Sequence, residues 1–384
     1  MLASNRVRSL ANGIATDIFG SRSPAHAEPS SSGRGPRRSR RYLKALSLWL
    51  AAVACLPFGS VANAEAIQWV TVGDPGNTAD TDPAGLGAVA TSFRIMKYEF
   101  TNQQYTDFLN SVAKTDTYSL YKADMSGFSG GITQSGSAGS YTYAVRPNMG
   151  DKPVNYVSWF DAARVSNWYQ NGATSSSSTE TGAYTLVSGQ ISGTAPAVNP
   201  GATFYIPTAD QWYKAAYYKG GGTNAGYWNY ATQTDAAPTR VTASGTGVGS
   251  AGSTGNFANF NYGASWNGGN NFTTTVGTNG GENAYGAFDM NGNVYELNDL
   301  TGAAGTNRGW RGGSWYVTSA LDMSSSSSYT FPASDETADV GFRLASPFIA
   351  PVPEIDPAGM GSVLALVTGA LGLLERRRLK AKVA

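Results

Sequence analysis

A turn-rich acidic stretch followed by a Gly-Gly strand entry, residues 285–315, constrains the fold more than any other part of the chain. It reads YGAFDMNGNVYELNDL and, after a short loop, RGWRGGSW. Clusters of glycine and asparagine favour tight turns, because glycine adopts left-handed backbone angles without strain and asparagine tolerates them. The stretch therefore predicts an irregular acidic turn that leads into a strand.

Residues 1–64 have the order of a secretory signal peptide with a long basic n-region. A basic cluster at 37–44 precedes an apolar run at 45–58 and then the sequence Ala-Asn-Ala at 62–64. This order predicts export and cleavage after Ala64. The alternative, a membrane anchor, requires a longer apolar run.

The only cysteine, Cys55, and the only histidine, His26, both lie in this leader. The mature chain would then have no thiol and no imidazole, which excludes disulfides, cysteine- or histidine-ligated metals and histidine general bases. Residues 65–349 carry 13 basic and 21 acidic side chains, a net charge of −8. Since this charge repels a phosphate backbone, no nucleic-acid partner is expected.

The pattern between residues 65 and 348 predicts an α+β domain that is largely irregular, with twisted antiparallel strands and two or three helices. Strands are predicted at 67–72 and 93–100. Three helix starts carry a hydroxyl cap followed three positions later by a side chain that can bond back to it. These pairs are Thr101 with Gln104, Ser158 with Asp161 and Thr208 with Gln211. Residues 220–283 are rich in Gly, Asn and Thr and predict a long irregular segment.

Six segments in register resemble the formylglycine-generating enzyme, or sulfatase-modifying factor, family. GNVYEL resembles the family signature GNVWEW, and RGGSW reproduces its RGGSW strand. Further matches lie at 98–109, 152–169, 206–216 and 341–345. The resemblance covers about residues 67–346 and implies a variant of the C-type-lectin fold, in which irregular structure is held by bound Ca²⁺.

The resemblance also implies two structural calcium sites. The matching positions are Asp289, Gly292, Val294 and Glu296 for the first site, and Asn259, Phe260, Asn270 and Phe272 for the second. Carboxylates and backbone carbonyls in a glycine-kinked turn suit a hard cation. At the second site Asn270 replaces an expected aspartate, which lowers the ligand charge. The alternative roles are an Asx-turn for Asp289 and an ion pair for Glu296.

The two cysteines that hold copper in formylglycine-generating enzymes align with Val317 and Asp322. Neither residue binds Cu(I) as a thiolate, so no copper and no catalytic residue are expected. The sequence favours a secreted or cell-surface binding or matrix module without cysteine oxidase activity, and cell-surface polysaccharide or protein as its partner. The alternative is an active sulfatase modifier, or another metal-dependent oxidoreductase with non-cysteine ligands.

Several other residues have two interpretations. Arg308, Arg311 and Arg343 form either an anion pocket or buried pairs with Glu296 and Asp299. The serine run at 324–328 with Tyr329 lines either a ligand surface or a solvated loop. Four aromatic residues either stack on sugars or belong to the core. They are Tyr227, Trp228, Trp266 and Trp310.

The C-terminus, residues 349–384, resembles a PEP-CTERM sorting tail. It combines Val-Pro-Glu at 352–354, an apolar run at 360–374 and Glu375 followed by three arginines. The resemblance implies a Gram-negative host, transient membrane insertion of the tail and processing by an exosortase. The mature domain would reach the periplasm, cell surface or extracellular matrix. The alternative is a permanent anchor, for which 15 residues are short.

Overall fold

A computed structural model describes residues 66–187 and 189–348. The predicted signal peptide and sorting tail lie outside these residues. Within the described part of the chain, none of the helices combines the length and apolar character that a membrane crossing requires.

Three helices begin where the sequence predicts them. They are α1 (Asn102–Val112), α2 (Trp159–Gln170) and α3 (Ala209–Tyr217). In each, the cap hydroxyl accepts from the backbone N–H of the third helical residue, whose side chain accepts from the cap backbone. These hydrogen bonds confirm the three predicted capping boxes. Each box satisfies N–H groups that a helix start leaves without intrahelical partners.

The strands form two larger sheets and two short pairs. One sheet contains β1 (Trp69–Val72), β2 (Phe93–Met96) and β11 (Ala345–Pro347), all antiparallel. The other has the order β10-β7-β8-β9. Its strands are β7 (Tyr295–Asn298), β8 (Asn307–Arg311), β9 (Tyr329–Pro332) and β10 (Val340–Gly341). The pairs are β3 (Ile132–Ser135) with β4 (Thr142–Val145) and β5 (Thr239–Arg240) with β6 (Phe257–Ala258).

The mixed α+β class is thus confirmed, with two differences in detail. The pairs β7–β10 and β5–β6 are parallel rather than antiparallel, and each is joined by a long connection instead of a hairpin. The strand predicted at 93–100 ends at Met96. Beyond this point the backbone carbonyls bond to groups outside the sheet. The Met96 carbonyl accepts from the Arg343 guanidinium at 3.0 Å, and the Lys97 carbonyl accepts from the Phe288 N–H at 2.9 Å.

Three hydrophobic clusters include residues in or next to the turn at 289–293 that precedes β7, which we call the central turn. The largest joins α1 and α2 and includes Phe108, Trp168 and Phe342. The second packs Trp212 and Tyr213 of α3 against β2. The smallest consists of Phe272, Val294 and Trp315. The 220–283 segment contains only β5, β6 and a short 3₁₀ turn, and isolated bridges such as Asn259 to Gly292 tie it to the central turn. As predicted, this segment is largely irregular.

Candidate functional site: the central turn and the aromatic cleft

The turn before β7 depends on backbone angles that few residues adopt. Asp289, Gly292 and Asn293 have φ values of 57°, 83° and 61°. A Cβ added to Gly292 would lie 2.4 Å from the carbonyl oxygen of Asn259, so only glycine fits this close approach. The Asn293 N–H donates to that same carbonyl at 2.8 Å. The turn is therefore anchored to the irregular segment through its own backbone.

Glu296, in β7, forms a bidentate ion pair with Arg343. The Arg343 Nε donates to Oε2 and Nη2 donates to Oε1, both at 2.6 Å. The Trp212 indole N–H also donates to Oε2, at 2.7 Å. Both charged side chains are buried. Of the two roles considered for Glu296, the structure places it in the ion pair.

Two further carboxylates are buried behind this pair. Asp289 accepts from the Gly277 N–H and from Asn279 Nδ2, the latter at 2.9 Å. Glu99 accepts from Asn293 Nδ2 at 2.9 Å. Burial raises the pKa of the Asp289 carboxyl. It raises the pKa of Glu99 well above its usual range, and the charges of Asp289 and Glu296 add to that shift.

Glu99 was not identified from the sequence. The available signal was an acidic residue in the predicted strand at 93–100, where a side chain facing the core would normally be apolar. Its partner Asn293 lies 194 positions away, so no local pattern could have connected the two residues.

The two carboxylates of the first predicted calcium site already accept hydrogen bonds from the protein. Arg343 and Trp212 donate to Glu296, and Gly277 and Asn279 donate to Asp289. Calcium at this site stays a prediction. Gly292 and Val294 lie in the same turn, as expected. Among residues 66–187 and 189–348, no three His, Cys, Asp or Glu side chains are grouped so that they could hold a metal ion.

The second predicted calcium site fits in part. The Oδ1 of Asn259 is buried without a hydrogen-bond partner, which is the state of an oxygen ligand that lacks its cation. Its Nδ2 donates to the Phe272 carbonyl at 2.7 Å, and Phe260 follows it directly in the chain. Asn270, in contrast, is exposed and donates to the Asn267 carbonyl at 3.2 Å. Structural calcium at Asn259 stays a prediction.

The three arginines of the central region are structural. Arg343 pairs with Glu296, and Arg308 Nε donates to Asp299 Oδ1 at 2.9 Å, with both partners of that pair buried. Arg311 donates to the carbonyls of Ser325 and Ser327 at 3.2 and 2.9 Å. Buried pairing is thus confirmed for Arg308 and Arg343, while Arg311 instead holds the serine run in place.

An aromatic cleft of about 350 Å³ lies beside β7, β8 and β9. Val317 and Asp322, the positions aligned with the two copper cysteines, both line it. The Tyr329 hydroxyl donates to Asp322 Oδ1 at 2.9 Å. The other lining residues are Tyr295, Trp310, Tyr316, Thr318, Phe331 and Asp339. Where the resemblance places a thiolate pair, the chain therefore has a wall of aromatic rings and two carboxylates.

The remaining sequence candidates divide between core and surface. Trp266 and Trp310 are buried, and Trp310 packs on Phe331 with ring centroids 4.1 Å apart. Tyr227 and Trp228 are half-buried, with the Lys219 ammonium 4.2 Å from the Trp228 ring. Ser324 and Ser325 are also buried, so the serine run is not a solvated loop throughout. Tyr329, by contrast, contributes to the cleft.

A second, larger cavity of about 640 Å³ lies beside α1. Its polar wall includes Gln103, Asp107 and Asp151. Ala66, the first described residue, also lines it. The aromatic cleft is the candidate that the sequence resemblance favours, because it contains Val317 and Asp322.

Comparisons with known proteins agree with the sequence resemblance. The family model described as "Sulfatase-modifying factor enzyme 1-like domain" matches residues 57–347. Comparison with curated proteins gave no significant match.

The solved structures that are similar to the chain include the following three. The crystal structure of CarF is 22% identical with a TM-score of 0.45, covering 74% of this chain and 99% of that one. Treponema denticola variable protein 1 is 16% identical with a TM-score of 0.42, covering 74% and 98%. PvdO from Pseudomonas aeruginosa is 16% identical with a TM-score of 0.35, covering 73% and 92%. The family model matches well over half of this chain, and the chain therefore belongs to the sulfatase-modifying factor enzyme 1-like domain family.

Proposed function

We propose that this chain is an exported member of its family that lacks cysteine oxidase activity and acts as a binding module at the cell surface or in the matrix. The observation that carries the proposal is the chemistry of the aromatic cleft. Its lining includes Val317 and Asp322 but no thiol and no imidazole. Cu(I) prefers soft sulfur and imidazole ligands, and neither an alkyl side chain nor a carboxylate replaces them.

A binding role accounts for the side chains that the cleft does contain. Tyr316 is 56% exposed and Tyr329 is 37% exposed, so their rings face solvent rather than the core. Large, stiff tyrosine side chains provide contact area at a low entropic cost, because few torsions are fixed on binding. Tyr329 is positioned by strand β9, which reduces the cost of organising that part of the site before a ligand binds.

The activity test uses a peptide with the Cys-x-Pro-x-Arg motif, copper and oxygen. The processed protein should leave the peptide mass unchanged, and a peptide with serine in place of cysteine provides the baseline. An active formylglycine-generating enzyme assayed in parallel shows that the conditions support the reaction. Appearance of the aldehyde product would contradict the proposal and favour the enzymatic alternative.

Export and sorting form the second part of the proposal, supported by the order of sequence elements in residues 1–64 and 349–384. We propose removal of the leader after Ala64 and of the tail near Pro353-Glu354 by exosortase-type machinery. Mass spectrometry of the native protein tests this. A mature C-terminus that still ends in Lys-Val-Ala would instead indicate a permanent anchor.

A further inference from the structure

We propose that the aromatic cleft binds a cationic side chain, a lysine or arginine presented by an extended segment of a partner protein. This inference rests on the proposed binding function and specifies its ligand class. It follows from three properties of the cleft: its ring faces, its carboxylates and its size.

Aromatic rings in several orientations line the cleft. Tyr295 and Tyr329 meet edge to face, with centroids 5.5 Å apart and planes at 79°. Phe331 stacks beside Tyr329 at 6.3 Å and on Trp310 at 4.1 Å. The face of an aromatic ring carries negative electrostatic potential and attracts ammonium and guanidinium groups within about 6 Å. Differently oriented rings around one cleft therefore favour a cation.

The charged residues of the cleft also favour a cationic ligand. Asp322 and Asp339 line it, and none of its lining residues, all of which the structure describes, is basic. Asp339 is fixed by hydrogen bonds from Ser314 Oγ at 2.9 Å and Thr337 Oγ1 at 2.8 Å. An ionised carboxylate has about four acceptor sites. Both aspartates thus keep capacity for a donor from the ligand while being held in position.

The carboxylates also separate a cation from the other ligand classes. An anion would be repelled by both aspartates. A neutral sugar could stack on the rings and donate hydroxyl hydrogen bonds to the carboxylates, but it brings no opposite charge to offset the cost of desolvating them. A cation adds that opposite charge to its contacts with the rings.

The size of the cleft fits one side chain, and its edge fits the chain that carries that side chain. A volume of about 350 Å³ lies at the small end of ligand pockets. At the rim, Tyr316 contacts Tyr262 with centroids 5.4 Å apart, and Tyr262 is 39% exposed. This aromatic edge continues the apolar surface beyond the cleft and provides contacts for residues beside the cation.

The test measures tryptophan fluorescence while the processed protein is titrated with a peptide of alternating glycine and lysine. The same peptide acetylated on every ε-amine is the control, because it keeps the side-chain stems and loses the charge. We expect the unmodified peptide to bind at least about tenfold more tightly, because only this peptide carries the positive charges. A tenfold difference corresponds to about 1.4 kcal/mol. Binding should weaken as salt is raised, because exposed charge pairs are screened.

Variants locate the binding. Asp322→Asn and Asp339→Asn keep the side-chain shape and should each weaken binding about fivefold or more, and Tyr329→Ala should weaken it further. Tyr329→Phe keeps the ring and should retain most of the affinity. Asp107→Asn makes the same charge change at the other cavity and should have no effect. Thermal melts confirm that each variant is folded before its affinity is compared.

Three results would overturn the inference. The first is equal affinity for the two peptides. The second is lysine-dependent binding that no cleft variant alters. The third is binding of a neutral oligosaccharide such as cellohexaose, abolished by Tyr329→Ala, together with no binding of the lysine peptide. The last result would leave the binding function intact and change only its ligand class. The aldehyde assay is independent of these titrations: formation of the aldehyde would overturn the proposed function, whereas the titrations test only the ligand class.

Discussion

At the scale of single residues, the domain depends on one guanidinium that neutralises a buried acidic cluster. Arg343 is fully buried and lies within electrostatic range of Glu99, Asp289 and Glu296. Each of these carboxylates would be costly to bury as an isolated charge. The protonated form of Glu99, favoured by its raised pKa, reduces the excess negative charge that Arg343 must balance.

Arg343→Met should therefore destabilise the fold strongly. Removing one partner of a buried pair leaves an uncompensated charge, which costs about 3–5 kcal/mol of unfolding free energy. Urea denaturation monitored by tryptophan fluorescence measures the change. Lys122→Met is the matched control: its pair with Glu336 is 3.2 Å long and partly exposed, so a loss below about 1 kcal/mol is expected. Equal losses in the two variants would contradict this account.

At the scale of elements, the helix starts could be predicted because their determinants are local. A hydroxyl cap and its partner three residues later specify each boundary with a few neighbouring side chains. The cleft could not be predicted in this way. Its residues come from β7, β8, β9 and the loops that follow β8 and β9, and only the folded sheet brings them together. The Arg–Glu pairing was one of two alternatives, because sequence gives the charges but not their separation.

The α3 cap provides a direct test at this scale. Thr208→Ala removes the acceptor for the Gln211 N–H, now at 3.2 Å, and should cost about 1 kcal/mol. Thr208→Ser keeps the hydroxyl and should cost much less. The difference in urea midpoint between the two variants measures the capping contribution. If serine were as destabilising as alanine, the methyl packing of Thr208 rather than its hydroxyl would be responsible.

Calcium is tested at the scale of the central turns. If Ca²⁺ binds the folded state through Asn259, EGTA should lower the melting temperature, since a ligand at a hundredfold excess over its dissociation constant contributes about 2.7 kcal/mol. The effect should persist in Asp289→Asn, because this prediction assigns the ion to Asn259, whose buried Oδ1 has no hydrogen-bond partner.

Two outcomes would change this assignment. Loss of the EGTA effect in Asp289→Asn would place calcium at the first turn. A wild-type melt unaffected by EGTA would contradict structural calcium at both sites.

At the scale of the whole molecule, the family resemblance predicted what local pattern could not. Helix caps and short strands indicated only a mixed α+β domain. The six matching segments indicated the sulfatase-modifying-factor variant of the C-type-lectin fold, in which two small sheets and three helices support long irregular segments. Such segments are tolerated here because buried side-chain amides form hydrogen bonds with their backbone N–H and carbonyl groups. The Asn291 side chain, for example, accepts from the Ala231 N–H at 2.7 Å and donates to the Met323 carbonyl at 2.7 Å.

We infer that this member of the family binds a ligand at the cleft in which the resemblance places copper. The most direct measurement is Cu(I) affinity, determined by competition between the processed protein and a chromophoric Cu(I) chelator. We expect the chelator to keep the copper, because Val317 and Asp322 provide no thiolate. Stoichiometric transfer of Cu(I) to the protein would contradict it.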